Sequence, residues 1–357
     1  MALTQVQSGI LADSTQTYGM KNRIINGAMV IDQRNAGASY TQVNGVFNLD
    51  RWNGNTYDGG AAVNKYSVIQ SSTAPTGFSK SLLVTSLATT ASAASNIFNI
   101  EQRIEGFNFA DFMYGTANAQ TLTLSFWVRS SLTGTFGGAL KNSARDRAYP
   151  FTYTISTANT FEYKTVTIIG DTSGTWIGAT NGIGLWITFG LGVGSTYSGT
   201  AGAWGAGDLF SATGATSVVG TNGATWYITG VQLEKGSTAT SFDYRPFGTE
   251  LQLCQRYYSY LNRGLVGGAD SATTIALGGI CVVPMRASPT IALMQTTPQF
   301  ISGGTTFSGT ASAITDSNIN FDSYHLRLSG FTGLTTGRAC IARNGSGGGL
   351  IELSSEL

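Results

Sequence analysis

Charge is what this sequence has least of. Asp, Glu, Lys and Arg together supply 11% of 357 residues, against about a quarter in an ordinary globular domain. The formal net charge is +1 and no run of Lys or Arg occurs, so the electrostatic footprint that grips a phosphate backbone is missing and nucleic acid is not expected as a ligand. A single histidine, His325, leaves little to move protons near neutral pH; in the strand-like SYHLRLSG it reads as a surface residue. The three cysteines, Cys254, Cys281 and Cys340, are odd in number and widely spaced, with no CxxC or Cys/His ligand pattern. They read as small buried hydrophobes, and neither a metal nor any other cofactor is expected. No apolar stretch reaches membrane-spanning length, and the opening MALTQVQSGILADSTQTYG has neither a basic start nor a continuous apolar run, so membrane insertion and signal-directed export are not expected.

Catalytic patterns are equally scarce. Neither a GxSxG elbow nor HExxH occurs, and the glycine-rich GLGVGSTYSG lacks the lysine and the following helix of a phosphate loop. Glycoside hydrolysis would need two acids facing each other across a cleft. The candidates are Asp32, Asp50, Glu101, Glu105 and Asp111; Glu101 and Glu105, with Arg103 between them, read as salt-bridged or solvated carboxylates. The expectation is that the chain is not an enzyme.

What the sequence does have is period-two alternation. In TLTLSFWVRSS, Leu122, Leu124, Phe126 and Val128 fall on one face and Thr123, Ser125, Trp127 and Arg129 on the other, as a half-buried strand requires. GIGLWITFGLG alternates in the same way around Trp186, and KYSVIQ, KSLLVTSL, NIFNIEQRI, FTYTIST, EYKTVTIIG and TWYITGVQLE are further strands between Gly, Asn and Asp turns. In the last of these, a simple alternation puts Trp226 and Ile228 on one face and Tyr227, Val231 and Leu233 on the other. This spacing over some 220 residues predicts an all-β chain whose main body is an antiparallel sandwich or jelly roll.

The best helix signal is TELQLCQRYYSYL. Thr249 with Gln252 makes a capping box after Pro246 and Gly248, and Leu251, Cys254, Tyr258 and Leu261 follow helical spacing beside Leu253, Tyr257 and Tyr260. Two apolar stripes on one short helix must both be buried, so Leu251, Cys254, Tyr257, Tyr258 and Leu261 are expected to contact a neighbouring subunit or the adjoining domain. Strand patterning then resumes to the last residue. The expected organisation is an arm at 1–20, a jelly-roll domain at 21–247, a linker helix at 248–262 and a second, smaller β-sandwich at 263–357. Around the linker, Glu234, Lys235, Asp243 and Arg245 crowd together after a span, 172–233, whose only acid or base is Asp208. With no nucleophile or metal ligand among them, they are expected to pair with one another or to cap backbone.

The positive chemical feature is aromatic. Trp127 and Trp186 sit on the polar sides of strands whose opposite sides are apolar, and Trp226 lies in TWYITGV. A neutral face with Trp and Tyr among Thr, Asn and Gln can stack on sugar rings and hydrogen-bond their hydroxyls, so Trp127, Trp186 and Trp226 are the candidate carbohydrate-binding residues.

Several segments together resemble a family of tailed-bacteriophage virion proteins known as tail-fibre, head-fibre or carbohydrate-binding-domain proteins. They are NRIINGAMVIDQRNAG with DRW at Asp50 to Trp52, QRIEG at Gln102 to Gly106, LTLSFWVRSSLTGTF, YPFTYTIS, TVTIIGDTSGTW, and WYITGVQLEKGSTATSFDYRPFGTELQLCQRYY. The match is dense from about Asn22 to Tyr258; beyond it only VPMRASPT, Val283 to Thr290, is similar. The resemblance implies a jelly roll like that of carbohydrate-binding modules, carried on a virion appendage, commonly trimeric, with GSTATSF closing the sandwich. It supplies no settled set of ligand residues.

Three readings follow. One is a homotrimeric virion fibre or appendage, docked to other virion proteins by its N-terminal arm and binding host-surface polysaccharide. The second is a capsid decoration protein that stabilises the shell. The third is a polysaccharide depolymerase acting through carboxylates.

Overall fold

The computed structural model describes residues 20–59, 61–62, 64–91, 93–261, 263–294, 299–302, 305–308, 313–343 and 350–357. The expected arm at 1–20 therefore lies outside the described residues except for Met20. Two compact units divide the chain after Phe247, and Leu357 is grouped with the first.

The strands of the first unit are β1 (Tyr40–Thr41), β2 (Val46–Leu49), β3 (Trp52–Asp58), β4 (Ala61–Ala62), β5 (Tyr66–Ser71), β6 (Ser81–Ser86), β7 (Ile97–Glu105), β8 (Leu122–Ser130), β9 (Gly134–Lys141), β10 (Arg147–Ile155), β11 (Glu162–Ile168), β12 (Ile183–Val193), β13 (Ser198–Gly199), β14 (Gly205–Ala206), β15 (Ser211–Ala212) and β16 (Thr225–Lys235). All but β13 and β15, which form a short parallel pair of their own, build two antiparallel sheets, ordered β1-β5-β6-β16-β8-β11 and β14-β10-β9-β12-β7-β3-β2, with β4 on β3. The chain crosses between the two sheets after β1, β4, β6, β7, β8, β10, β11 and β14, which is the winding of a jelly roll.

Alternation explains why the sheets face each other as they do. Leu122, Leu124, Phe126 and Val128 of β8 are buried, and Phe126 lies 5.2 Å from Phe189 of β12 and 5.1 Å from Tyr153 of β10, ring centre to ring centre. Phe98, Ile100 and Ile104 of β7 join the same core.

β16 departs from simple alternation. Its register against β8 shifts between Thr229 and Gln232, where Gly230 takes φ +59°. This is a β-bulge: one extra residue resets the phase of the strand. Trp226 and Ile228 before it, and Val231 and Leu233 after it, all enter the core. The expected split of these four residues between two faces is therefore corrected, because period two does not run through Gly230.

The second unit, Gly248–Glu356, contains most of the helix α1 (Phe247–Gln255). Its strands are β17 (Tyr258–Leu261), β18 (Arg263–Ala269), β19 (Thr274–Ile280), β20 (Thr290–Leu293), β21 (Gln299–Ser302), β22 (Thr305–Ser308), β23 (Ala313–Ile319), β24 (Ser323–Ser329), β25 (Ala339–Arg343) and β26 (Ile351–Ser354). One sheet is β17-β26-β20 and the other β22-β21-β25-β18-β19-β24-β23, over a core that includes Leu277, Leu326, Leu328, Phe331 and Leu353. His325 is exposed on β24, and all three cysteines are buried and none is in a disulfide.

The helix expected over 249–261 starts two residues earlier and stops at Gln255; the YSYL that follows is strand β17, paired with Ile351–Ser354. Aromatic residues favour a strand when a partner is available, and here the partner comes from the opposite end of the unit. The segment 248–262 is thus part of the second unit rather than a separate linker. Cys254, Tyr257, Tyr258 and Leu261 are buried in the single chain, Leu251 is half-buried, and the Tyr258 hydroxyl donates to Glu352 Oε2 at 3.2 Å. Two apolar helix stripes awaiting a neighbour do not form.

Candidate ligand groove

The bulge in β16 has a consequence on the outer face of its sheet. A Cβ placed on Gly230 would lie 2.6 Å from Phe78 Cζ and 3.1 Å from Trp127 Cδ1. Glycine alone lets these two rings close over the strand, and its positive φ is one that side chains resist. Trp127 points outward from β8 and its ring centre is 5.4 Å from that of Tyr163, its cross-strand partner on β11.

The opposite wall comes from the chain that leaves β16. Because the bulge resets the phase, Gln232 and Glu234 face outward and fasten the segment 237–244 onto the sheet. Glu234 is buried and accepts hydrogen bonds from the Thr240 amide (2.9 Å), the Thr240 hydroxyl (2.6 Å) and Gln232 Nε2 (2.8 Å), while Gln232 Oε1 accepts from the Asp243 amide (2.8 Å). These bonds, rather than a counter-ion, keep the buried carboxylate satisfied. Held in this way, Phe242 and Tyr244 pack against Phe78, with centroids 5.1 and 5.4 Å away, and the Tyr244 hydroxyl donates to Gly77 O at 2.8 Å.

The result is a groove of about 520 Å³ lined by Phe78, Trp127, Tyr163, Phe242 and Tyr244, with Ser125, Gly230 and the exposed polar residues Thr240 and Ser241. Apart from the two phenols, no lining side chain titrates.

The other charges expected to be structural are so placed. Arg245 donates to the backbone oxygens of Asn22 and Ile24 and lies 3.6 Å from Asp243, and Lys235 pairs with Asp111 at 3.2 Å.

Of the three candidate tryptophans, the groove contains Trp127. Trp226 is fully buried among core rings, with Nε1 donating to the Tyr153 hydroxyl at 3.1 Å, so it cannot serve as a sugar platform. Trp186 lies on the outer face of the other sheet, but its ring is taken by cations of its own chain: Arg103 at 4.2 Å and Lys141 at 5.0 Å from the ring centre. Three side chains that strand alternation groups as candidates thus go to three different environments.

Lys141 is itself unusual. Its side chain is fully buried, Nζ lies 2.8 Å from Asp208 Oδ1 and 3.2 Å from the centre of the Phe210 ring. Burial pulls the ammonium down to about 8 from its ordinary value of 10.5, against Asp208, which favours the charged form.

The carboxylate candidates serve as acceptors of local bonds. Asp32 caps the amides of Asn35 and Gly37, Asp50 accepts from Gln33, and Glu101 accepts from Asn55, Asn99 and Arg103. Glu101 and Glu105 leave one strand four residues apart, about 13 Å at the usual rise, beyond the spacing of a glycosidase pair.

Tyr163, Phe78, Phe242 and Tyr244 were not among the sequence candidates. The available signal was SFDYRPF, whose density of aromatic residues is high for a polar connecting segment; nothing local pairs it with Phe78.

No family model matches the chain, and no curated protein matches it in sequence. Among solved structures, a Bacteroides thetaiotaomicron protein described as sugar-binding is similar over 60% of this chain and 100% of its own, at 10% identity and a TM-score of 0.36. A family 11 carbohydrate-binding module from Clostridium thermocellum, in complex with a β-1,3-1,4-mixed-linked tetrasaccharide, matches over 57% and 100% at 12% identity and a TM-score of 0.29. A tandem of family 22 modules from Paenibacillus barcinonensis matches over 90% and 97% at 8% identity and a TM-score of 0.25.

Two outcomes test this description. Gly230→Ala should lower the unfolding free energy by about 1–2 kcal/mol from the left-handed backbone alone and shift the near-ultraviolet signal of Trp127 as the rings separate, measured by urea titration and circular dichroism. For Lys141, the unfolded chain holds its proton up to pH 10.5 whereas the folded chain releases it above about 8, so stability rises with pH between these values. Relative to Lys141→Met, which has nothing to titrate there, the protein should gain about 2 kcal/mol from pH 7.5 to 9.5 in denaturant titrations.

Proposed function

We propose that the chain is a non-enzymatic, glycan-binding structural protein of a bacteriophage virion, carried as a homotrimeric appendage and contacting host-surface polysaccharide through the groove at Trp127. The observation that carries the glycan reading is the composition of that groove. Exposed Tyr163 and half-buried Trp127 offer ring faces to the apolar side of a sugar, the exposed Ser241 offers a hydroxyl, and the Thr240 hydroxyl, which donates to Glu234, keeps its acceptor side. The groove brings together neither a nucleophile nor a pair of acids, which favours binding over hydrolysis. Repetition of a weak site on a virion sums to firm adhesion.

The virion setting rests on the resemblance across 22–258, and with it the reading of residues 1–20 as the arm that docks to other virion proteins. Trimer formation is supported by apolar side chains left outside on the second unit: Val266, 57% exposed, is paired across β18 and β25 with Ile341, 48% exposed. Burying such residues between copies of the chain would remove them from water.

Trp127→Ala should weaken binding to immobilised host polysaccharide by about tenfold, the worth of one lost ring contact, with the thermal midpoint little changed; undiminished binding would remove the groove from this role. A molar mass of three chains by light scattering is the expected assembly. Copies confined to a tail or fibre in images of particles would support the appendage, whereas copies tiling the shell would favour capsid decoration.

A further inference from the structure

We infer that the groove is selective for an acidic sugar and that Arg129 recognises its carboxylate. This rests on the glycan reading of the Trp127 groove and adds the class of sugar to it.

Arg129 follows Trp127 by two positions on β8, so it leaves the same outer face about 7 Å further along the strand. It sits between two rings: its guanidinium carbon is 4.9 Å from the centre of Tyr227, its cross-strand partner on β16, and 5.9 Å from that of Phe161. These rings flank the guanidinium without taking up its N–H groups, since a ring face offers no hydrogen-bond acceptor of carboxylate strength. Among the described residues Arg129 has no ion-pair or hydrogen-bond partner, and its Nε is buried without an acceptor. Glu162 is close in the strand register but is committed elsewhere, to the amides of Ser156 and Thr157 at 2.8 Å and to Lys164 at 2.6 Å.

The surroundings sharpen the point. The outward side chains of β8, β11 and β16 include two charges, Arg129 and Glu234. Glu234 is fully occupied in holding the groove wall. Arg129 is therefore a cation without an ion-pair partner, partly withdrawn from water, on a face of these strands whose one other charge is committed to the groove wall. Such a group is costly until an anion meets it. A carboxylate suits its fork of donors, because two parallel N–H bonds form at once. A sugar ring stacked on Trp127 would place a neighbouring uronic-acid ring over Arg129.

The test is an array of neutral oligosaccharides and their uronic-acid counterparts, probed with the full chain and with Arg129→Gln, Arg129→Lys and Trp127→Ala, each checked for an unchanged thermal midpoint. Acidic members should dominate binding to the unaltered chain. Arg129→Gln should lose about tenfold or more on acidic members and little on neutral ones, with Arg129→Lys between the two, since it keeps the charge without the fork. Trp127→Ala should weaken both classes. Equal binding of neutral and acidic members, or acidic binding unchanged in both Arg129 variants, overturns the role of Arg129 and leaves the glycan reading standing. Binding unaffected by Trp127→Ala, or no binding to any member, overturns both.

Discussion

One extra residue in β16 organises the surface of the first unit. The bulge at Gly230 lets Val231 and Leu233 follow Trp226 and Ile228 into the core, and it turns Gln232 and Glu234 outward where they can bind the chain that follows. The backbone it frees from the ladder is taken up by the segment at 22–27. The Val231 amide donates to Gly27 O at 3.0 Å, Asn22 Nδ2 donates to Val231 O, and Asn22 Oδ1 accepts from the Leu233 amide. A Cβ on Gly27 would stand 2.2 Å from Val231 O, so the approach is open to glycine alone. The backbone of Val231 and Leu233 just past the bulge is thus bonded by the segment at 22–27, as buried backbone requires.

Scarcity of charge and abundance of amides are two sides of one design. The irregular segments of this sandwich are attached by Asn, Gln and Thr side chains that reach backbone groups. Asn26, for example, brackets Ile31 through its amide and carbonyl and also donates to Asp50 O. Where a charge is buried it is enclosed individually: Asp171 takes both forks of Arg147, at 2.9 and 2.7 Å. A neutral surface produced in this way presents little long-range field, so a single unpaired guanidinium stands out upon it.

The fold class was legible because period-two alternation is strong in β8 and β12, where apolar and polar residues separate cleanly and the core follows directly. β16 was legible as a strand but not as two strands out of phase, since a glycine in an alternating run looks the same whether the ladder is continuous or bulged. That single ambiguity placed Trp226 with the candidates when it belongs to the core. Trp186 failed for another reason: its neighbours Arg103 and Lys141 come from β7 and β9, and cross-strand register is absent from local pattern. The groove was half legible, through Trp127. Its other wall was legible only as the segment GSTATSF that the resemblance has closing the sandwich, because Gln232 and Glu234 show their purpose once the segment at 237–244 folds back on them. In YYSYL the helical spacing was real, but the competing strand partner lay at the far end of the second unit.

That partnership bears on how the second unit is made. β26 is the middle strand of its sheet, with β17 on one side and β20 on the other, so the first strand to leave the ribosome in this unit has no partner until the last has been synthesised. Closing so long a loop carries an entropic cost before the pairing repays it. During translation, β17 and β20 wait as unpaired edges, the state in which strands find the wrong neighbour. The jelly roll, by contrast, has all its strands in hand before the second unit begins. The two units therefore mature in sequence, and the later one is the more exposed to misassembly when chains are crowded together.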